Sequence, residues 1–305
     1  MTGAAIPGLL LAALVFQHPD PPTIISPAES LHVVATGTGP AVLCLPGLFG
    51  SAYEFRRVTP LFTGAGYRVI IVEPLGIGYS ARPPRADYSL TAQADRIAAV
   101  LDTLKVGPVL VVAHSLGGAM AFRLAVRRPD LVRGLVSIEG GPTEEATTPS
   151  FRRALKLAPL LRLIGGTGIV RSKIRSSLHD SSGDPSWVTD SVVRGYTDGA
   201  VANLGATLHA YQAMGRAREP ELLAPRLAEI RCPVRLIVGG APHDGGAGAD
   251  EVAFLTRTLS SFAVDSVPGA GHYVQEEQPG AVLQAVRRLE AGVRDGAVHP
   301  PPPGD

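Results

Sequence analysis

The sequence predicts an α/β fold: a mostly parallel, doubly wound sheet with a helical segment inserted between two of its strands. Three observations carry the prediction. Apolar or β-branched runs recur at Ala41–Leu45, Arg68–Val72, Val109–Val112, Leu135–Ile138 and Val234–Val238. A strand that is apolar at every position has both faces covered, which is the habit of a parallel sheet flanked by helices. Between the runs lie stretches of helical period. In Leu90–Leu104, for example, Leu90, Ala94, Ile97, Val100 and Leu101 fall on one face. From Thr143 to Leu227 no strand-like run occurs, only helix-like pieces such as Phe151–Ile164 and Ala200–Met214.

Taken in order, the chain opens with an apolar stretch, Gly8–Phe16, and a rigid His18-Pro19-Asp20-Pro21-Pro22 linker, which together define an N-terminal segment over 1–30. That stretch lacks the basic start and small-residue cleavage site of a secretory signal. The expectation is therefore a cytoplasmic protein, with export or membrane association through this segment as the alternative. Leu31–Thr36 and Ala41–Leu45 are predicted strands, Tyr53–Gly64 a helix, Arg68–Val72 a strand and Leu90–Leu104 a helix. Val109–Val112 leads through a sharp turn at His114-Ser115 into a helix over about Leu116–Val126. The core is assigned to 31–142 and 228–292, and the helical insertion to 143–227. Within the insertion, Gly165-Gly166-Thr167-Gly168 and Ser181-Ser182-Gly183-Asp184-Pro185 read as linkers. A Pro-rich tail occupies 293–305, where His299 and the prolines after it exclude helix and central strand.

Composition narrows the function classes. The 305 residues hold 28 Lys plus Arg against 27 Asp plus Glu, for a net charge of +1. That balance argues against a nucleic-acid partner. No apolar run reaches the roughly 18 residues of a membrane span. With only Cys44 and Cys232, neither a disulfide scaffold nor a cysteine zinc site can be built. The histidines show no His-Glu-x-x-His spacing, so neither a metal nor another cofactor is expected. The partner expected is a small-molecule substrate, and the sequence does not fix an oligomeric state.

The chemistry concentrates in three segments. Ala113-His114-Ser115-Leu116-Gly117-Gly118 follows the apolar run Val109–Val112. A serine on such a strand-to-helix turn is held in a strained backbone with its hydroxyl projecting above the sheet. Small residues two positions to either side, Ala113 and Gly117, leave room for neighbouring backbone. Leu116 opens the helix, so its amide is free to face an oxyanion. Leu45-Pro46-Gly47-Leu48-Phe49-Gly50-Ser51 offers the Leu48 amide as a second oxyanion donor. Gly269-Ala270-Gly271-His272 places a histidine in a flexible glycine loop, about 155 residues after the serine. Its pKa suits it to take the serine proton. The carboxylate that orients the histidine is Asp244, in the loop after Val234–Val238, with Glu139 after Leu135–Ile138 as the alternative. His243 reads as a solvent-facing loop residue or as part of the pocket. Tyr53, Phe55, Leu160, Leu161 and Leu163 read as core or pocket lining.

Together with Glu73-Pro74-Leu75-Gly76-Ile77-Gly78-Tyr79-Ser80 and the stretch Gly269–Pro279, these segments resemble the α/β-hydrolase superfamily from about Leu31 to Leu289. The insertion stands in the place of that superfamily's cap domain. The resemblance implies a serine hydrolase, carboxylesterase- or lipase-like. It would cleave an ester or related acyl bond of a small, moderately hydrophobic substrate through an acyl-enzyme. A C–C bond hydrolase or perhydrolase, and a non-catalytic small-molecule binder of the same fold, are its alternatives. Three positions depart from the usual pattern. Pro46 replaces a histidine, Glu73-Pro74 an aspartate-containing pair, and Pro242 the acid three residues past Gly239. Glu139 matches the acid position of some haloalkane dehalogenase-like members. The His272 segment also resembles that of dehalogenases and epoxide hydrolases, whose nucleophile is an aspartate where this chain has Ser115.

Overall fold

A small antiparallel pair, β1 (Thr23–Ser26) with β2 (Glu29–Leu31), precedes a sheet of seven strands. These are β3 (Val33–Thr36), β4 (Ala41–Leu45), β5 (Arg68–Val72), β6 (Val109–His114), β7 (Val132–Ile138), β8 (Val234–Gly239) and β9 (Phe262–Val267). The fold is that of a computed structural model, and the structure describes residues 23–26, 29–156 and 166–294. Expectations for 1–22, the tail from 295 onward, and Leu160, Leu161 and Leu163 fall outside the described residues.

Strand order is β3-β5-β4-β6-β7-β8-β9, with β3 antiparallel to β5 and every other pair parallel. The apolar strands divide their side chains between two cores. Leu43, Ile70, Val109 and Val111 face one side, toward the helices α2 (Leu90–Leu104) and α3 (Leu116–Arg127). Val42, Cys44, Ile71, Leu110 and Val112 face the other, toward α1 (Thr59–Gly64) and the helix Pro279–Arg294. That alternation is why the runs are so largely apolar: each face of the sheet is a core. Because the strands are parallel, their carboxyl ends gather along one edge, where such sheets place their ligands.

Several local expectations are corrected. Leu31–Thr36 is two strands in two sheets. At the break, the His32 amide donates to Ser80 Oγ (2.9 Å) and its carbonyl accepts from the Glu73 amide (3.0 Å). Tyr53–Gly64 is a 3-10 turn, Ala52–Phe55, followed by α1, whose first turn holds Pro60 and so has no donor to continue the preceding turn. Ala200–Met214 spans two helices, Asp190–Val201 and Leu204–Arg216. Asn203 separates them by capping the Ala206 amide (3.1 Å). Phe151–Ile164 is helical over Pro149–Leu155, and 157–165 lie outside the described residues. Gly166–Gly168 form the first turn of the helix Gly166–Asp180 rather than a linker. The strand β9 carries no sequence signal, because Asp265 and Ser266 interrupt it. The Asp265 carboxylate accepts from Arg235 on the adjacent β8 (2.8 Å), so this polar residue still serves the sheet.

Between β7 and β8 the described residues form helices and no strand. Both ends of this insertion are tied to α3 by Arg123, whose side chain is 2% exposed. It pairs with Glu144 (2.6 Å) and Glu219 (3.2 Å) and donates to the Thr143 carbonyl (2.8 Å). Glu219 also accepts from the Leu90 and Thr91 amides at the start of α2 (2.7 and 3.0 Å). No described helix is long and apolar enough to cross a membrane.

Removing Arg123 would strand a buried carboxylate. Arg123→Ala is expected to lower the unfolding free energy by about 3–5 kcal/mol, read by urea denaturation. A loss within about 0.5 kcal/mol, the usual range for surface substitutions, would show that the Leu90 and Thr91 donors alone satisfy Glu219.

Candidate active site

Ser115 sits at the carboxyl end of β6, the fourth strand of seven, with φ +50° and ψ −118°. A non-glycine residue there carries strain of about 1–3 kcal/mol. Its neighbours hold it in place. A Cβ on Gly117 would lie 2.5 Å from the Leu45 carbonyl oxygen, and one on Gly140 would lie 2.3 Å from that of Ser115. The backbone of three adjacent strand ends therefore closes around the turn, and the small residues expected here are a steric requirement. Ala113 is wholly buried and its methyl is part of the core.

Leu48 and Leu116 line the same cleft as Ser115. Leu116 is the first residue of α3, where helix geometry leaves the amide unpaired. The Leu48 peptide is held by the Tyr211 hydroxyl, which donates to the Leu48 carbonyl (2.9 Å) from the inserted helix Leu204–Arg216.

His272 follows β9 and shares the cleft. Its loop is not free, contrary to the flexible-loop expectation. The His272 amide donates to the Ser181 carbonyl (2.8 Å), and the Gly271 amide donates to Glu277 (2.9 Å). A Cβ on Gly271 would sit 2.4 Å from the Ser181 carbonyl oxygen, so glycine here permits contact with the insertion. On the other side, His114 Nε2 donates to the His272 carbonyl (3.0 Å).

His114 and Glu54, neither singled out from the sequence, form the site's buried base. His114 Nδ1 lies 2.6 Å from Glu54 Oε1. Glu54 also accepts from the Gly47 amide (3.2 Å) and the Gln275 side-chain amide (2.9 Å). One carboxylate thus joins the Pro46–Ser51 loop, the strand that carries Ser115 and the segment that carries His272. The only sequence hint is a polar residue, His114, at the end of an otherwise apolar strand.

Neither candidate acid forms a hydrogen bond to His272 among the described residues. Glu139, at the end of β7, places a carboxylate oxygen within 4.8 Å of a His272 ring nitrogen. It is 3% exposed and accepts from the Gly239 amide. Asp244 lines the cleft, but no ion pair joins it to His272. His243 is not solvent-facing: its side chain is 8% exposed, Nε2 lies 3.3 Å from Glu139 Oε2, and Nδ1 approaches the Ala241 carbonyl (2.8 Å). Phe55 is core, and Tyr53 packs against the cluster of inserted side chains around Trp187 and Tyr196.

The electrostatics follow from burial and charge. Burial, reinforced by His114 and His243, holds His272 well below the ordinary imidazole range, so the ring is neutral at physiological pH. Burial opposes a charge on His114 too, but the Glu54 carboxylate outweighs it and raises the His114 pKa. Burial also raises Glu139, partly offset by the Gly239 amide and His243. The cleft encloses about 770 Å³. Its described lining includes Glu54, Glu139, Glu145, Asp180, Asp244 and Glu251, and no Lys or Arg.

Comparison with known proteins agrees with this architecture. Residues 40–162 match the family model described as the alpha/beta hydrolase fold. The chain is 28% identical to a 2-(acetamidomethylene)succinate hydrolase of Mesorhizobium japonicum, over 84% of this chain and 90% of that one. It is 26% identical to an sn-1-specific diacylglycerol lipase, ABHD11, of Mus musculus, over 82% and 80% respectively. A thermophilic esterase from Thermogutta terrifontis superposes with a TM-score of 0.71 at 22% identity, covering 91% of this chain and 99% of that one.

The raised His114 pKa gives a signed stability prediction. The charged pair with Glu54 contributes fully below the unfolded imidazole value of about 6.5 and fades as pH rises through the higher folded value. Glu54→Gln is therefore expected to cost about 3 kcal/mol at pH 6 and less at pH 9, by urea denaturation. A gap that widens with pH would contradict the charged pair.

Proposed function

Because the chain belongs to the α/β-hydrolase superfamily, we propose that it is a cofactor-independent serine hydrolase acting on an ester or related acyl bond. The observation that carries this reading is Ser115, held at φ +50° above the centre of the sheet in a cleft shared with a neutral, half-buried His272. His272 takes the Ser115 proton as Oγ attacks the substrate carbonyl. The Leu48 and Leu116 amides receive the charge that develops on the carbonyl oxygen. His272 then protonates the leaving group, and water hydrolyses the acyl-enzyme by the same route. The depressed His272 pKa suits a base that must be unprotonated at neutral pH.

Of the two acids, Glu139 is the better supported, because its carboxylate is the one that faces a His272 ring nitrogen. The helices from Pro149 to Arg216 act as a cap over the cleft, and Tyr211 couples them to the oxyanion loop. A cleft lined by carboxylates without Lys or Arg among its described residues favours an uncharged acyl compound. That separates this chain from the relative whose name specifies a succinate.

Labelling with a fluorophosphonate probe tests the chemistry. It is expected to vanish in Ser115→Ala and to fall by about 10³-fold or more in His272→Ala and Glu139→Gln. Asp244→Asn is expected to stay within about threefold of wild type, since surface-type changes rarely exceed about 0.5 kcal/mol. The reverse order for the two carboxylates would assign Asp244 as the acid, and an unlabelled, folded wild type would remove the reading altogether. Among esters matched in size, a carboxylate on the acyl chain is expected to lower kcat/KM at least about tenfold, and an equal or higher value would overturn the charge argument.

A further inference from the structure

We propose that Glu139, His243 and His272 form a binding site for a divalent transition-metal ion of the zinc class, and that its occupation switches the serine off. The inhibitory consequence rests on the serine-hydrolase reading, whereas the site itself does not.

One ligand atom from each residue lies within 4.8 Å of the other two. The His243 Nδ1 proton is engaged by the Ala241 carbonyl (2.8 Å), which leaves Nε2 to face Glu139 Oε2 at 3.3 Å. A carbonyl-fixed ring is the usual support of a metal-binding imidazole. A proton between Nε2 and the carboxylate, or a metal ion in that proton's place, holds such a pair together. The third donor is His272 Nδ1, which is buried and has no hydrogen-bond partner. Three potential ligand atoms thus converge, each able to exchange a proton for a metal ion.

The donor set selects the ion. Two imidazoles and one carboxylate match zinc and its neighbours, and disfavour magnesium and calcium, which take oxygen ligands. Zinc ligands in a tetrahedron stand about 3.4 Å apart, close to the Glu139–His243 separation, so closing the site asks for a small inward movement of His272. Room exists because the adjacent turn is Gly245-Gly246, with φ +84° and +93°. A Cβ on Gly246 would lie 1.8 Å from Glu139 Oε2, and one on Gly245 would lie 3.5 Å from His272 Nδ1. Glu139, Gly245, Gly246 and His272 all line the cleft, which gives the ion its way in.

The effect on catalysis follows from the proton count. A neutral imidazole carries one ring proton, and the base must carry it on Nδ1 to leave Nε2 free for the serine proton. A metal on Nδ1 moves that proton to Nε2. The ring then has no lone pair for Ser115, and attack stops until the ion leaves.

Zinc binding is measured on Ser115→Ala by competition with a chromophoric chelator, alongside fluorophosphonate labelling of the otherwise intact chain. One equivalent of Zn²⁺ is expected, with affinity falling at least about tenfold in His243→Ala and in Glu139→Gln, and with magnesium ineffective. Zn²⁺ is expected to suppress wild-type labelling, EDTA to restore it, and His243→Ala to label at the same rate with and without Zn²⁺. Absence of binding, or binding indifferent to both substitutions, would overturn the site. Binding with undiminished labelling would overturn the switch. A wild type that never labels would remove the hydrolase reading and leave the binding measurement standing.

Discussion

The arrangement of the site depends on a single buried ion pair, Glu54 with His114. Each partner has a second task that only the pair makes possible. Glu54 receives the amide of Gly47 at the base of the loop after β4, and His114 donates to the carbonyl of His272. Three chain segments that are far apart in sequence are thereby set against one another under the cleft. The pair is 1–3% exposed, so water neither screens it nor substitutes for either partner. Burial of a charge is costly in isolation. It is tolerated here because the carboxylate accepts from the Gly47 amide and Gln275 beside the charged imidazole, whose Nε2 donates to the His272 carbonyl.

The strained serine turn draws on the same logic of enforcement. No single contact holds Ser115 at positive φ. The ends of β4 and β7 close on it from either side, and Gly117 and Gly140 are the positions where a side chain would collide with backbone. Strain of a few kcal/mol is sustained because the flanking strands are fully buried and cannot shift. The insertion adds to this rigidity. Ser181 holds the His272 amide, Tyr211 holds the Leu48 carbonyl, and Trp187 and Tyr196 pack on Tyr273 beside the histidine. The inserted helices and the loops around Ser115 and His272 are therefore one mechanical unit.

Much of this was legible in the sequence, and the limits are physical. Parallel core strands announce themselves because both faces are apolar. Leu90–Leu104 was readable from the helical spacing of its apolar face, and the structure ends it at the same residues, where Ser89 caps the start and Lys105 leaves the helix in a left-handed conformation. Ser115 was readable because a strained turn demands small neighbours at fixed spacing. The edge strand β9 was not, since only Val267 of its six residues is buried and the others need not be apolar. Glu54 and His114 were invisible for a different reason: their roles come from contacts across 60 or more residues, which no local pattern encodes. The choice between Glu139 and Asp244 turns on how the Gly239–Gly246 loop folds, and that loop brought His243 inward, where the sequence alone suggested solvent.

The clamp at Arg123 bears on how the inserted helices could be exchanged. Glu144 and Glu219 are the feet of the insertion, and both stand on one arginine of the core helix, while Glu219 also finishes the start of α2. Whatever replaced the residues between those feet would keep its footing if the two glutamates stayed, but it would also have to supply the hydrogen bonds that Ser181 and Tyr211 make to His272 and Leu48. The natural seams for transplanting a foreign insertion therefore lie just inside the glutamates, at about Ala146 and Ala217. A graft cut outside would uncap a helix of the core and carry the damage into the sheet.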